Sequence, residues 1–137
     1  WVAESGGFGP TERDQANGDI AAGDGAPLSL RGQAFAKGIG AHADSAITVD
    51  VPAGCTTFDA VVGLDDEVGA NGTATFTVTA GGQTLATTPV LTGTDDPYPV
   101  SIDITGQTQL TLSTDHAGDN NWWDHTDWAD AHLTCQQ

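Results

Sequence analysis

The chain has 137 residues, three basic against nineteen acidic side chains and a formal net charge of −16. One domain fits this length, and so acidic a surface excludes a nucleic-acid partner and docking on an anionic membrane, both of which need Lys and Arg. No apolar run reaches the roughly 20 residues a spanning helix requires, and the opening on Trp1 lacks a basic residue and apolar run, so a mature or excised piece of something larger is expected. Acidity of this degree also occurs in halophile proteins, so charge alone names no function.

Sixteen of the acids are Asp and three are Glu, with nineteen Thr, eighteen Gly and no Met. Asp and Gly favour turns and Thr favours strands, so the composition predicts an all-β chain with little helix. Residues 1–27 read as irregular, with turn signals at Gly6-Gly7, Gly9-Pro10, Asn17-Gly18 and Asp24-Gly25. So long a loop-like segment in a compact domain is usually functional or ion-stabilised. Lys37 to Ser45 reads as a glycine-rich stretch that presents His42 at a loop tip or strand entrance. From Leu28 onward the pattern has period two. Ile47, Val49 and Val51 share one face, as do Phe58, Ala60 and Val62. Ala74, Phe76, Val78 and Ala80 oppose Thr73, Thr75, Thr77 and Thr79. Val100, Ile102 and Ile104 follow, then Leu110 and Leu112, then Ala129, Ala131 and Leu133. Such alternation marks strands that bury one face. Gly81-Gly82 reads as a tight hairpin turn. Seven or eight short strands in a single domain over 1–137 predict an antiparallel β-sandwich. Cys55 and Cys135 lie too far apart in sequence for a local metal motif. They are either one disulfide of a secreted protein, closing an ~80-residue loop, or two buried thiols.

The densest chemistry lies in residues 115–130, which hold three of the four Trp and five Asp. Its first part falls between two strand patterns and is expected to be a loop at one end of the sandwich. Trp122 and Trp123 follow Asn120 and Asn121 and precede Asp124. An indole face beside amides and carboxylates suits a sugar, whose C–H face stacks while its hydroxyls hydrogen-bond. The alternative is that one Trp plugs the end of the core; Trp128, within a strand pattern, is assigned to the core. His42 is either a hydroxyl ligand or a loop fastener. Asp14, Asn17, Asp19 and Asp24 are hard oxygen donors in a Gly-rich segment and are candidates for a structural calcium. Asp65 and Asp66, beside Glu67, are either further calcium ligands or a solvated turn. The ordered EF-hand loop is absent. A glycoside-cleaving carboxylate pair or a Ser45–His42–Asp triad has no supporting signature: there is no nucleophile elbow, zinc-binding His-Glu-x-x-His or phosphate loop. So short an all-β chain also has little room for a deep catalytic cleft, and an enzyme is not expected.

Several motifs in order carry a family resemblance. They are Gly-Phe-Gly-Pro-Thr-Glu-Arg-Asp at 7–14, Lys-Gly-Ile-Gly-Ala-His-Ala-Asp-Ser at 37–45 and Val-Gly-Leu-Asp-Asp-Glu-Val at 62–68. Gly-Thr-Ala-Thr-Phe-Thr-Val at 72–78 and Asp-His-Thr-Asp-Trp-Ala-Asp-Ala at 124–131 complete the set. Over nearly its whole length the chain resembles the NPCBM domain, also called carbohydrate-binding module family 51. The resemblance implies a discoidin-like, galactose-binding-domain-like jelly roll that binds sugar without catalysis. It implies covalent attachment to a secreted bacterial glycoside hydrolase, galactose or blood-group-type glycans as ligands and, from related sandwich families, a structural calcium. By motif it carries over Glu12 and Asp14, His42, the Asp65-Asp66 pair and the segment from Asp124. The Trp122-Trp123 doublet falls where family members vary and is expected to tune specificity. The expected sugar contacts are thus Glu12, His42, Asn121, Trp122, Trp123 and Asp124. Alternatives are a structural or protein-docking sandwich with no sugar site, and a small glycan-acting catalytic domain. A monomer is expected, since the charge keeps isolated copies apart.

Overall fold

The computed structural model describes residues 3–5, 12–13, 28–30, 33–35, 37–42, 44–65, 72–115 and 125–135, with backbone alone for 3–5, 12–13, 34 and 42. Thirteen strands run through them: β1 (Ala3–Ser5), β2 (Glu12–Arg13), β3 (Leu28–Leu30), β4 (Gln33–Phe35), β5 (Gly38–His42), β6 (Ser45–Asp50) and β7 (Cys55–Leu64), then β8 (Thr73–Ala80), β9 (Gln83–Thr87), β10 (Leu91–Thr92), β11 (Tyr98–Asp103), β12 (Gln109–Asp115) and β13 (His125–Cys135). One sheet has the order β1-β6-β12-β8-β10, with β9 also paired to β8; the other has the order β11-β7-β13-β5-β2. Pairing within both sheets is antiparallel.

The two sheets close on one core because their alternating faces are apolar. Ala74, Phe76, Val78 and Ala80 of β8 and Leu110 and Leu112 of β12 face Phe58, Ala60 and Val62 of β7 and Trp128 of β13. Trp128 is fully buried, with Phe76 edge-on at 5.2 Å between centroids and Phe58 tilted at 6.4 Å. Burying the largest side chain between both sheets contributes about 3 kcal/mol through its apolar area, and the edge-on ring pair adds about 1 kcal/mol. The Thr residues of β8 lie half-buried on the opposite face. There Thr48 meets Thr111 and Thr77 meets Thr87 through their hydroxyls.

The hairpin β3–β4 forms a third layer over the outside of the five-stranded sheet. Its Leu28 and Leu30 are buried on small residues. A Cβ at position 63 would stand 3.1 Å from Leu30 Cδ2, and one at position 38 would stand 2.8 Å from Leu28 Cδ1. Glycine at these positions lets β3 lie directly on the backbone.

Several expectations are met and others corrected. Gly81 and Gly82 both have positive φ, as a two-residue primed hairpin turn requires. The cysteines are disulfide-bonded between the start of β7 and the end of β13, 80 residues apart in sequence. The strands are more numerous than seven or eight: β1 and β2 lie inside the segment read as irregular, and Gly38–His42, read as leading to a loop tip or strand entrance, is itself a strand. β13 starts at His125, four residues before its alternation begins at Ala129. That alternation is then broken by a bulge between Ala129 and His132, where Asp130 takes φ 50° and donates its N–H to Lys37 O.

At the other edge of this sheet, the turn leaving β11 is fastened by Asp103. Its Oδ1 accepts the Thr105 N–H at 2.9 Å and the Thr105 hydroxyl at 2.7 Å. The backbone N–H first, then the hydroxyl, hold the Asp103 carboxyl below the usual carboxylate range. A depressed folded value means the contribution is present above the ordinary carboxylate value and is lost as pH falls through the depressed one. Carbon-detected NMR titration should place the Asp103 midpoint below that range, and Thr105→Ala should move it upward. An unchanged midpoint in that variant would remove the hydroxyl from the account.

Candidate functional site

The topology gathers loop ends at one pole. β5, β7 and β12 end there, at His42, Leu64 and Asp115, while β6, β8 and β13 start there. The register fixes this arrangement: His42 stands opposite His125, Thr126 opposite both Ala41 and Leu64, Thr114 opposite Ser45, and Asp115 opposite Thr75. The chain between Asp115 and His125, which carries the Trp122-Trp123 doublet, therefore leaves and re-enters the sandwich at this apical pole. So does the chain between Leu64 and Thr73. Glu12 pairs with Gly40, two residues before His42 on the neighbouring strand. Glu12, Gly40, Asp127 and Gly63 thus stand in one row across four strands.

This pole is built rigidly. Thr126 Oγ1 donates to Ala41 O at 3.2 Å, and the Ser45 and Thr114 hydroxyls share a hydrogen bond of 2.6 Å. The Asp65 N–H donates to His125 O at 2.9 Å, and Asp65 Oδ2 accepts the Ser29 N–H at 3.1 Å. These contacts join β5, β7, β13 and β3 beneath the loops, the arrangement in which a rigid sandwich presents binding residues on its connections. His125 is buried, and Asp127 is completely so.

Of the sequence-derived sugar contacts, the backbones of Glu12 and His42 are brought to neighbouring strands at the apical pole. Asn121, Trp122, Trp123 and Asp124 lie outside the described residues, between two strands that meet this pole. Asp14, Asn17, Asp19, Asp24 and Asp66 also lie outside the described residues. Asp65 is not part of a solvated turn: it is 1% exposed, beneath β3. Ser45 is buried against Thr114 rather than poised as a nucleophile. Trp128 is in the core as expected. His125 and Asp127 were carried over only as part of the segment from Asp124, without a role of their own; both are buried.

The amino-acid sequence matches the NPCBM/NEW2 domain over residues 1–134. This chain belongs to the NPCBM family. It is a non-catalytic carbohydrate-binding module. The NPCBM sequence is 40% identical over 136 residues to a putative endo-alpha-N-acetylgalactosaminidase of Renibacterium salmoninarum, covering 98% of this chain and 9% of that protein. It is 34% identical over 109 residues to alpha-1,3-galactosidase B of Akkermansia muciniphila, covering 77% of this chain and 14% of that protein. The module thus spans only a small part of these relatives. Among solved structures, it matches CBM51 from Clostridium perfringens GH95 in complex with methyl-galactose, with TM-score 0.85 or above: the value is 0.88 at 27% identity, over 98% of this chain and 94% of that one. It also matches CBM51-2 and INT domains from Clostridium perfringens ZmpB in complex with GlcNAc, at TM-score 0.85 and 30% identity, over 97% of this chain and 29% of that one.

Proposed function

We propose that this NPCBM module holds galactose or N-acetylgalactosamine at its apical pole and thereby brings a larger secreted bacterial glycosidase to its glycan. The observation that carries the reading is that the backbones of Glu12 and His42 and the strand ends Asp115 and His125, which flank the Trp-bearing 116–124 connection, come to one end of the sandwich. In this reading Trp122 or Trp123 supplies the stacking platform, and Glu12, His42, Asn121 and Asp124 bond the hydroxyls. The methyl-galactose complex of a relative that aligns over nearly its whole length supports the sugar class. So do the galactosidase and N-acetylgalactosaminidase descriptions of two sequence relatives. The disulfide supports an oxidising, extracellular setting.

A shallow monosaccharide site recovers little net free energy after hydroxyls are desolvated, so the single module binds weakly. Tethering then raises the effective concentration of a linked catalytic domain at its substrate. The module acts as a monomer in this reading. Calcium belongs to the proposal only through Asp14, Asn17, Asp19, Asp24 and Asp66. Among the described residues no three His, Cys, Asp or Glu side chains come together, and Asp65 already accepts Ser29 N–H. A rise in melting temperature with calcium, reversed by chelator, is the expected readout; an identical melt in both conditions removes the ion.

Calorimetry with methyl galactoside, N-acetylgalactosamine, N-acetylglucosamine and glucose tests the sugar. His42→Ala and Trp123→Ala should each abolish measurable binding while circular dichroism shows the fold retained. Undiminished affinity in either variant takes that residue out of the site. N-acetylglucosamine is a second reading, favoured by the ZmpB complex, and preference for it over both galactose sugars would replace the first.

A further inference from the structure

On the flank of the sandwich, an open groove of about 190 Å³ lies between the two sheets. Here one sheet ends in β9 and the other in β11, and these two edge strands are not paired with each other. Its apolar lining includes Val78, Val100 and Ile102, all buried. Its rim is mixed: Tyr98 is 38% exposed, and Thr87 and Ser101 are exposed near it.

The main chain supplies the second observation. Ile104 N–H donates to Thr56 O and so faces β7. By the alternation of an antiparallel strand, Val100 and Ile102 face β7 as well, and Ser101 turns its N–H and C=O away from it, to the open edge. On the other rim, Thr88 N–H donates to Phe76 O of β8, so Thr87 turns its N–H and C=O outward in the same way. Each rim thus offers a donor and an acceptor on rigid backbone. A wholly apolar ligand would leave these groups dry, which is unfavourable. An added peptide strand is poorly matched, because Pro99 has no N–H to give on this edge and Asp103 sets a carboxylate at its end, both of which blunt an edge. A pyranose fits better. Its C–H face packs on the Tyr98 ring, and its hydroxyls, each both donor and acceptor, need no strand register. A cavity of about 150 Å³ takes benzene, so one sugar ring seats here with its outer substituents in solvent. The net charge of −16 selects a neutral sugar over a sialic or uronic acid.

We propose that this flank groove is a second carbohydrate site, for one neutral pyranose residue stacked on Tyr98 and hydrogen-bonded by the main chains of Ser101 and Thr87. It needs none of the residues assigned to the apical pole. β11 lies three strand spacings from β5, the strand that carries His42; that is about 14 Å, further than one sugar ring reaches. Two sites on one module would let it hold two residues or two branches of the same glycan, the second at raised effective concentration.

The experiment is an amide NMR titration of the ¹⁵N-labelled chain, and of its His42→Ala variant, with methyl galactoside, methyl glucoside and N-acetylglucosamine. The Ser101 and Thr87 amides should shift with saturation on one or more of these sugars, and to the same extent in both proteins. Tyr98→Ala should weaken that response about tenfold, while Tyr98→Phe should keep it. Amides that stay fixed up to about 100 mM of every sugar, far above a millimolar Kd, overturn the flank site whether or not the apical pole binds. An undiminished response in Tyr98→Ala overturns the stacking. A response lost in His42→Ala shows one site at the pole alone and overturns the second.

Discussion

Replacing both cysteines, in Cys55→Ser/Cys135→Ser, is expected to lower stability by roughly 4 kcal/mol. The bond closes a loop of 80 residues, and loop-closure entropy in the unfolded chain sets that size. It ties the start of β7 to the end of β13, two adjacent inner strands of their sheet. The variant keeps the β7–β13 ladder, so it should fold to the same near-ultraviolet spectrum while its urea midpoint drops. A loss below about 1 kcal/mol would mean that the unfolded chain holds these strand ends together without the bond. Sugar binding at the proposed apical site should survive in the folded fraction, because the cysteines lie at the far ends of both strands.

Gly38→Ala is expected to cost about 4 kcal/mol, an effect seldom seen for one added methyl group. Gly38 has φ +146°, a backbone region that L side chains rarely enter. Its Cβ would fall within contact distance of the Trp128 carbonyl oxygen and 2.9 Å from Ala129 Cα, both backbone atoms of the paired strand. Neither can move without parting β5 from β13, the pair that sets His42 opposite His125. Gly82→Ala is the matched control. It too has positive φ, but nothing lies within 4 Å of its Cβ, so it should cost only about 1–2 kcal/mol. Urea unfolding of both variants checks the contrast. Equal losses would show that backbone conformation, not the close approach to β13, governs position 38.

Much of the sandwich was legible in the sequence because one face of each long strand is wet. The Thr and Ala–Phe–Val alternation of 73–80 placed β8 to the residue, and Leu110 with Leu112 placed the core face of β12. His125–Asp127 was not legible as strand because it is buried throughout. Trp128 faces the other sheet, while the neighbouring positions lie beneath β3. A strand covered on both faces loses its polar alternation. The glycines at 38 and 40 misled for a related reason: they read as loop signals, whereas Gly38 makes room for Leu28 above the sheet. β3 and β4, three residues each, are too short to show a period. For the proposed site, local motifs offered Glu12 and His42 as candidates. That they come to adjacent strands follows from long-range pairing, which no local pattern carries.

The position of the disulfide has a mechanical consequence. Cys135 lies at the pole opposite the apical connections, so any polypeptide continuing past it departs from there. A pull on that continuation is transmitted through a covalent bond into the first residue of β7. The load then spreads along two adjacent ladders of β7, to β13 and to β11. β13 cannot be peeled from its free end one hydrogen bond at a time. The module would resist tension as a clamp rather than unzip.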